Sequence, residues 1–319
     1  MPIRSNRNLT EYYDRFSYSG AGGPREYPVA LWTGARGVQA GGHPGSPNAR
    51  AMDYITIDTT GNASDFGDIL SDNGRKGPSS SSSGIRGILC GGEGTPGAVV
   101  DTISYVTIGT LGNAVDFGST TIWARGNGCS SGCASGDDAR GIWTGGVSQR
   151  PTIEYVNINI TGSTVGDFGD CNTERVYDTS LNCNGTRALI AGGMTPSLTN
   201  EIEYITINTT GNGIDFGDLT VARYGLSAAP STTRATCAGG RNQGVRVIDY
   251  WTMATLGNAT DFGDLSEDRG YNGSGSNLTR GICAGGYGPS SAPTGSQSID
   301  YYTISVSYTH LTLPTIYSV

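Results

Sequence analysis

Repeated features of the 319-residue sequence predict an all-β protein, a β-propeller of four-stranded antiparallel blades. The phrase Asp-Phe-Gly recurs at steps of 51, 51, 48 and 46 residues, and each unit also contains a Gly-Gly pair and a tyrosine in an alternating segment. A residue type that is confined to one position of a period indicates the same structural role in each unit. Five of the six phenylalanines occupy this phrase, at Phe66, Phe117, Phe168, Phe216 and Phe262.

Each unit predicts four short strands. The first follows one arginine, and the second begins at another arginine and ends at Gly-Gly. The third alternates apolar and polar residues around the tyrosine, which is typical of a half-buried strand, and the fourth carries Asp-Phe-Gly. A Gly-Asn pair between the last two predicts a tight hairpin turn with positive φ angles. The tyrosines are Tyr54, Tyr105, Tyr155, Tyr204, Tyr250 and Tyr301. The second-strand arginines are Arg36, Arg86, Arg140, Arg187, Arg234 and Arg280, and the upstream ones are Arg25, Arg75, Arg125, Arg175, Arg223 and Arg269.

Composition excludes several functional classes. The net charge of −8 and pI near 4.7 disfavour a nucleic-acid partner, because phosphate binding needs clustered Lys and Arg. No apolar run approaches the length of a membrane span, so we expect no membrane insertion. Residues 1–8 lack the apolar segment of a signal peptide, so export by the ordinary secretory route is not predicted.

The order of arginine, apolar strand, Gly-Gly, variable loop, Tyr strand and aromatic strand resembles the kelch repeat, although kelch blades usually carry Trp where this chain has Phe. The phrase at residues 205–219 also resembles kelch-like repeat proteins of tailed bacteriophages from marine and freshwater sources. The resemblance covers roughly residues 25–305. It implies a propeller with about six visible blades, of which the last is incomplete.

The two ends of the chain depart from the repeat. Residues 306–319 resemble the translation of a transposase-type sequencing adaptor, so we expect this tail to be non-native and the gene to be cut at the end of a metagenomic sequencing fragment; a genuine β-strand tail is the alternative. Residues 1–24 form a predicted N-terminal arm. Its segment 8–18 is a possible closing strand beside residues 299–305. The predicted propeller domain occupies residues 25–305.

The repeated side chains favour a structural lattice over a catalytic site. Asp-Phe-Gly is also the metal-binding phrase of protein kinases, but the other kinase motifs are missing. We expect the phenylalanines to pack between blades, and the aspartates to cap a turn or to pair with a repeat arginine. The acidic residue before the tyrosine is another possible partner, because buried arginine needs one. Repeated calcium sites at Asp68, Asp170, Asp218 and Asp264 are an alternative.

No residue is predicted to be catalytic, to bind a cofactor or to bind a metal. The copper-radical oxidases among kelch-type propellers need two histidines, whereas His43 is the only histidine before the tail. The arginine triad and the aspartate-rich repeat that sialidase-like propellers need are also missing. The seven cysteines suggest reduced thiols, although Cys129 and Cys133 could close a loop disulfide.

The sequence therefore predicts a non-catalytic binding or structural propeller. The resemblance implies a phage virion protein, associated with the tail or fibre and located in the virion or in the host cytoplasm before assembly. Its expected partners are other virion proteins or a host-surface glycan or protein, used for host attachment. The loops after Gly-Gly differ in every unit, and diverse loops on a rigid scaffold often bind ligands. The alternative is a lectin or a carbohydrate-active enzyme of microbial origin.

Overall fold

The computed structural model describes residues 16–18, 36–41, 50–70, 75, 78–92, 100–121, 140–144, 150–175, 180–241, 245–277, 279–288 and 296–305. This part of the chain contains 24 β-strands and no helix, which confirms the all-β prediction. Accordingly, the described ranges include no helix that could cross a membrane.

The strands form six main sheets, which we number in chain order. Sheet 1 consists of β1 (Phe16–Tyr18), β2 (Arg36–Ala40), β3 (Ala51–Thr56) and β4 (Ser64–Asp68). Sheet 2 consists of β5 (Ser79–Ser82), β6 (Arg86–Cys90), β7 (Thr102–Thr107) and β8 (Val115–Ser119). Sheet 3 consists of β9 (Arg140–Thr144), β10 (Arg150–Asn157) and β11 (Gly166–Arg175).

The second half of the chain repeats this arrangement. Sheet 4 begins with β12 (Ser180–Cys183) and β13 (Arg187–Ala191), and after the small ribbon β14 (Met194–Thr195) and β15 (Ser197–Leu198) it continues with β16 (Glu201–Thr206) and β17 (Ile214–Asp218). Sheet 5 consists of β18 (Ser227–Ala228), β19 (Arg234–Ala238), β20 (Val247–Thr252) and β21 (Thr260–Asp264). Sheet 6 consists of β22 (Gly273–Ser276), β23 (Arg280–Ala284) and β24 (Ile299–Thr303).

Each main sheet is an antiparallel meander with the predicted strand order. The repeat arginine begins the second strand, the tyrosine lies on the third, and the phenylalanine lies on the fourth. Sheets 1, 2, 4 and 5 have all four strands. Among the described residues, sheet 3 has no first strand and sheet 6 has no fourth strand.

The described part of the N-terminal arm, residues 16–18, pairs differently from the hypothesised closing strand, and residues 8–15 lie outside the described residues. Residues 8–18 were a candidate partner of 299–305, but β1 pairs with β2, so that Phe16 lies opposite Ala40 and Tyr18 opposite Val38. This strand also precedes Arg25, whereas the predicted first strand follows that arginine. The backbone groups along the edge of β2 can pair with any extended segment, so this pairing leaves no residue signature in the sequence.

Each described phenylalanine strand contains a β-bulge at the aromatic residue. In sheet 4, Ile202 lies opposite Gly217 and Glu203 lies opposite Asp215, so Phe216 is the extra residue. The same shift occurs in sheets 1, 2, 3 and 5. The phenylalanine at this bulge is buried, whereas the aspartate before it is exposed.

The hydrophobic core lies between consecutive sheets. Five clusters each combine apolar residues of two neighbouring sheets with one repeat phenylalanine. Phe168 of sheet 3, for example, belongs to the cluster of Ile205 and Ile207 from sheet 4. The five phenylalanine residues are only 2–3% exposed. Sheets 1 to 5 therefore each bury their phenylalanine against the next sheet.

Candidate functional site: the repeated inter-sheet contacts

The second-strand arginine stacks on the tyrosine of its own sheet. Arg187 lies opposite Thr206 at the end of β16, and its guanidinium reaches back over the ring of Tyr204. The distance from guanidinium carbon to ring centroid is 4.3–4.7 Å in all six sheets. Such a cation–π contact is worth about 0.5–1 kcal/mol at a partly exposed site. The pairs are Arg36–Tyr54, Arg86–Tyr105, Arg140–Tyr155, Arg187–Tyr204, Arg234–Tyr250 and Arg280–Tyr301.

The same arginine also binds the following sheet. In each case Nη1 donates to a backbone carbonyl just after the third strand of that sheet. The first five bonds join consecutive sheets, and the last joins sheet 6 to sheet 1. The bonds are Arg36 to Ile108 (2.9 Å), Arg86 to Ile158 (3.3 Å), Arg140 to Ile207 (2.8 Å), Arg187 to Met253 (3.1 Å), Arg234 to Ile304 (3.0 Å) and Arg280 to Ile57 (2.9 Å).

Tyrosine and phenylalanine form an edge-to-face pair in sheets 1 to 5. Their ring centroids are 5.8–6.3 Å apart and their planes meet at 73–85°. This geometry places the positive edge of one ring on the negative face of the other. Arginine, tyrosine and phenylalanine therefore form a continuous stack that crosses three strands of a sheet.

The aspartate of Asp-Phe-Gly accepts a hydrogen bond from the glycine two residues later. The Oδ1 to N distance is 3.2 Å for Asp116, 3.1 Å for Asp167 and 3.0 Å for Asp261. Of the two expected roles of this aspartate, capping a turn or pairing with an arginine, this local bond corresponds to the first. It spans the bulge.

The Gly-Asn pair has a different role from the predicted one. The tight turn lies earlier, where the N–H of Thr209 donates to the carbonyl of Thr206 (3.1 Å). Gly-Asn instead contacts the preceding sheet, since Gly211 N–H donates to Phe168 O (2.7 Å) and Asn212 Oδ1 accepts from Asp170 N–H (3.1 Å). No Asn of these pairs has a positive φ. Sequence alone could not separate a local turn from a contact between units, because both favour Gly and Asn.

The upstream arginines form buried ion pairs with the acidic residue before the tyrosine of the next sheet. The nitrogen–oxygen distances are 2.6 Å for Arg175–Glu203, 3.1 Å for Arg223–Asp249 and 2.8 Å for Arg269–Asp300. Each arginine also donates to backbone carbonyls, which satisfies further N–H groups. These pairs join sheet 3 to 4, sheet 4 to 5 and sheet 5 to 6. The upstream arginines Arg25 and Arg125 lie outside the described residues.

Sheet 2 carries a variant of this arrangement. Its position before the tyrosine is Ser104, and the buried Arg75 donates to the carbonyls of Thr102 (3.1 Å) and Leu70 (2.9 Å). In sheet 3, Glu154 occupies the acidic position and accepts hydrogen bonds from Trp143 Nε1 (3.0 Å) and from the Thr121 hydroxyl. The acidic position can therefore be satisfied by more than one kind of donor.

The structure shows two repeated polar positions that the sequence did not predict. A Ser or Asn three residues before the second-strand arginine accepts that arginine's backbone N–H, at 2.7–3.2 Å. A residue four after the phenylalanine donates to the acidic residue of the next sheet, as Thr220 does to Asp249. Their fixed spacing from the arginine and the phenylalanine could have revealed both. The first set is Ser83, Asn184, Ser231 and Asn277.

Five cysteines of the described residues are buried and form no disulfide. Burial raises the pKa of Cys171 and Cys237 to about 12 and that of Cys283 to about 11. The thiolate is the reactive form, so these thiols are inert at neutral pH. Cys129 and Cys133, the candidates for a loop disulfide, lie outside the described residues. The five are Cys90, Cys171, Cys183, Cys237 and Cys283.

Within the described ranges, no group of three or more His, Cys, Asp or Glu side chains is arranged to hold a metal ion. Most of the diverse loops after Gly-Gly lie outside these ranges. The loop of sheet 4 is described and forms the ribbon of β14 and β15. It emerges at the end of the sheet opposite the hairpin of β16 and β17, because β13 ends where β16 begins.

A cleft separates sheet 6 from sheet 1, and we call it the 6–1 cleft. Sheet 1 contributes Gln39, Ile55, Ile57 and Ala63, while sheet 6 contributes Ile282 and Ala284. It lies beside the Arg280–Ile57 hydrogen bond. Asn277 of sheet 6 also donates to the carboxylate of Asp58 in sheet 1.

The described contacts thus join each sheet to the next through arginine, and five of these boundaries also contain a phenylalanine. The chain matches no model of a known protein family, and no curated protein is significantly similar to it.

Proposed function

We propose that the six sheets are the blades of a closed kelch-like β-propeller. The observation that carries this proposal is the set of six arginine bonds, in which Arg280 of sheet 6 bonds to Ile57 of sheet 1 as each earlier arginine bonds to the sheet after it. An open array would leave its two terminal sheets uncovered. The hydrogen bond between Asn277 and Asp58 supports the same closure.

A cross-link between the first and last sheets tests closure. The chain carries Asp58→Cys with Asn277→Cys, and Cys129 and Cys133 are replaced by serine. Mild oxidation is expected to give an intramolecular disulfide, which is visible as a monomer of altered mobility on a non-reducing gel. Asn184 caps Arg187 as Asn277 caps Arg280, so Asp58→Cys with Asn184→Cys is the matched control. Equal cross-linking of the two pairs, or none of the first, would contradict closure.

We further propose that this propeller is a non-catalytic binding or structural module of a phage virion, associated with the tail or fibre. The repeated Arg, Phe and acidic side chains take part in contacts between sheets, and the Tyr stacks on Arg and Phe of its own sheet, which supports a scaffold role for all of them. The loop after Gly-Gly differs in every unit of the sequence, and in sheet 4 this loop and the hairpin of β16 and β17 lie at opposite ends of the sheet. The proposed ligand, a host-surface glycan or protein or another virion protein, binds at the loop end.

A glycan array with the full chain tests this role. Selective binding without turnover supports host recognition by a virion protein, and flanking tail or baseplate genes would support the phage assignment. Release of sugar products from a bound glycan would overturn the non-catalytic assignment and favour a carbohydrate-active enzyme. Sugar binding by a chain whose gene lies among cellular genes would instead favour a microbial lectin.

A further inference from the structure

The 6–1 cleft has the walls of a phenylalanine site. At the boundary of sheets 1 and 2, Phe66 belongs to a cluster with four residues of sheet 2. One of them stands three residues after the second-strand arginine of its sheet. The other three stand one, three and nine residues after the tyrosine of that sheet. The same positions in sheet 1 are Gln39, Ile55, Ile57 and Ala63, and all four line the cleft. The four sheet 2 residues are Leu89, Val106, Ile108 and Ala114.

The opposite wall corresponds as well. Val38 and Ala40 of sheet 1 belong to the cluster that holds Phe66. Their counterparts in sheet 6, two and four residues after the repeat arginine, are Ile282 and Ala284, which line the cleft. The cleft thus combines the two apolar surfaces that enclose a repeat phenylalanine elsewhere.

The backbone beside the cleft is arranged to accept a strand. In sheets 1, 2, 4 and 5 the third strand pairs on one side with the second strand and on the other with the phenylalanine strand. In sheet 6, β24 pairs with β23 and has no second partner among the described residues. An edge of this kind can accept an added strand through main-chain hydrogen bonds.

Sheet 1 also carries the Gly-Asn pair that contacts the phenylalanine strand of a preceding sheet. At other boundaries the glycine N–H donates to the phenylalanine carbonyl, as Gly257 does to Phe216 (2.9 Å). The asparagine carbonyl accepts the next aspartate N–H, as Asn258 does from Asp218 (3.1 Å). Gly61 and Asn62 occupy these positions in sheet 1.

We propose that the 6–1 cleft is a binding site for an extended peptide that carries the repeat's own phrase, Asp-Phe-Gly-Asp. The peptide adds to β24 as an antiparallel fourth strand, and its phenylalanine enters the cleft next to Tyr301. By the register of the other sheets, its aspartate lies opposite Asp300 and its glycine opposite Ile299. The glycine is required because the backbone of the next sheet approaches it closely, as the carbonyl of Gly257 in sheet 5 approaches Gly217 in sheet 4. This inference rests on the boundary of sheets 6 and 1 and is independent of the proposed virion role.

The probe is a labelled synthetic peptide with the sequence of residues 209–220, and its binding to the full chain is followed by fluorescence anisotropy. Saturable 1:1 binding is expected. The same peptide with alanine in place of phenylalanine is expected to bind at least about tenfold more weakly, because the buried aromatic ring supplies much of the apolar contact. In the protein, Ala63→Trp is expected to weaken binding by filling the cleft. Ser64→Trp, next to it and outside the cleft, is the control.

A grafted chain gives a second measurement. Tyr301 corresponds to Tyr204, so residues 306–319 correspond to 209–222 and can be replaced by that sequence residue for residue. The graft is expected to raise the Tm by about 2–4 °C and to abolish peptide binding, because its own phenylalanine occupies the cleft. A graft with alanine in place of phenylalanine is expected to do neither. The proposal is wrong if the full chain does not bind the peptide, or if the graft leaves peptide binding unchanged.

Discussion

At the scale of single residues, the chain places charged groups inside an apolar boundary and pairs them with opposite charges there. Arg223 and Asp249 have fully buried side chains that meet at 3.1 Å. A charge in such a place is stable only while its partner remains, because removal of one leaves the other desolvated and unpaired. The repeat therefore preserves arginine and acid together, and sheet 2, with Ser104, supplies backbone carbonyls to Arg75 instead.

Asp249→Asn tests this dependence. We expect the free energy of unfolding in urea to fall by roughly 3–5 kcal/mol, because the guanidinium of Arg223 stays buried without a counter-charge. Asp268→Asn is the control, since its pair with Arg246 is 3.7 Å long and both side chains are at least 37% exposed. That change is expected to be within about 1 kcal/mol. If Asp249→Asn lowered the free energy of unfolding no more than the control does, the buried pair would not be needed for stability.

The buried cysteines predict a loss of stability at alkaline pH. Their thiols stay protonated in the folded chain, where the pKa of Cys237 is about 12, but ionise near pH 9 once unfolded. The thiols' contribution is therefore fully present below about pH 9 and declines as pH rises towards 12. The urea midpoint is expected to fall between about pH 8 and about pH 10.5.

The matched variant for the alkaline effect is Cys237→Ala, which removes one such thiol. It should reduce the alkaline slope of the unfolding free energy by up to about 1.4 kcal/mol per pH unit. An unchanged slope would assign the effect to other groups.

At the scale of the strand, the Asp-Phe-Gly segment links two sheets. Its phenylalanine, at the bulge, is buried against the next sheet, and its glycine allows the Gly-Asn segment of that sheet to approach. A Cβ at Gly217 would lie 2.5 Å from the carbonyl oxygen of Gly257, whereas one at Gly118 would meet no atom within 4 Å. The two glycines have φ angles of 147° and 144°, so they differ in surroundings and share the backbone conformation.

Gly217→Ala and Gly118→Ala separate these effects. Both variants carry the strain of an L residue at a positive φ, which is about 1–3 kcal/mol. Gly217→Ala is expected to lose additional stability, because the backbone of the neighbouring sheet must move. Comparison of the two urea midpoints measures the inter-sheet approach. Equal losses would mean that backbone conformation alone selects glycine here.

At the scale of the whole molecule, the units of the sequence differ mainly in the loop between the second and third strands. The opposite end carries the turns and Gly-Asn segments that contact the neighbouring sheet, which restricts their sequences. In sheet 4, Arg175 of sheet 3 contacts the base of this loop at the carbonyls of Gly192 and Glu201, while Ser197 on the ribbon of β14 and β15 is exposed. We therefore propose that the ligand binds at the variable end.

Two arginine substitutions on sheet 4 test this assignment. Ser197 is exposed on the ribbon, and Thr210 is exposed at the opposite end. Ser197→Arg is expected to weaken binding of a glycan found on the array by about tenfold or more through steric exclusion and added charge. Thr210→Arg is expected to leave it unchanged, and both variants should unfold at the same urea concentration. Weaker binding by Thr210→Arg alone would place the ligand at the hairpin end.

The sequence by itself determined the period, the order of strands in a unit and the residues that the contacts use. These follow from spacing and alternation, which depend on local geometry. Tertiary structure decided which partners these residues take. The second-strand arginine stacks on tyrosine while the upstream arginine meets the acid, and Gly-Asn contacts the preceding sheet instead of forming the tight turn. Because every unit contains the same residue types, a contact within a unit and a contact to the next one have the same sequence signature. Tertiary structure also decided the 6–1 cleft, since its walls belong to units at opposite ends of the chain and meet only when sheet 6 lies beside sheet 1.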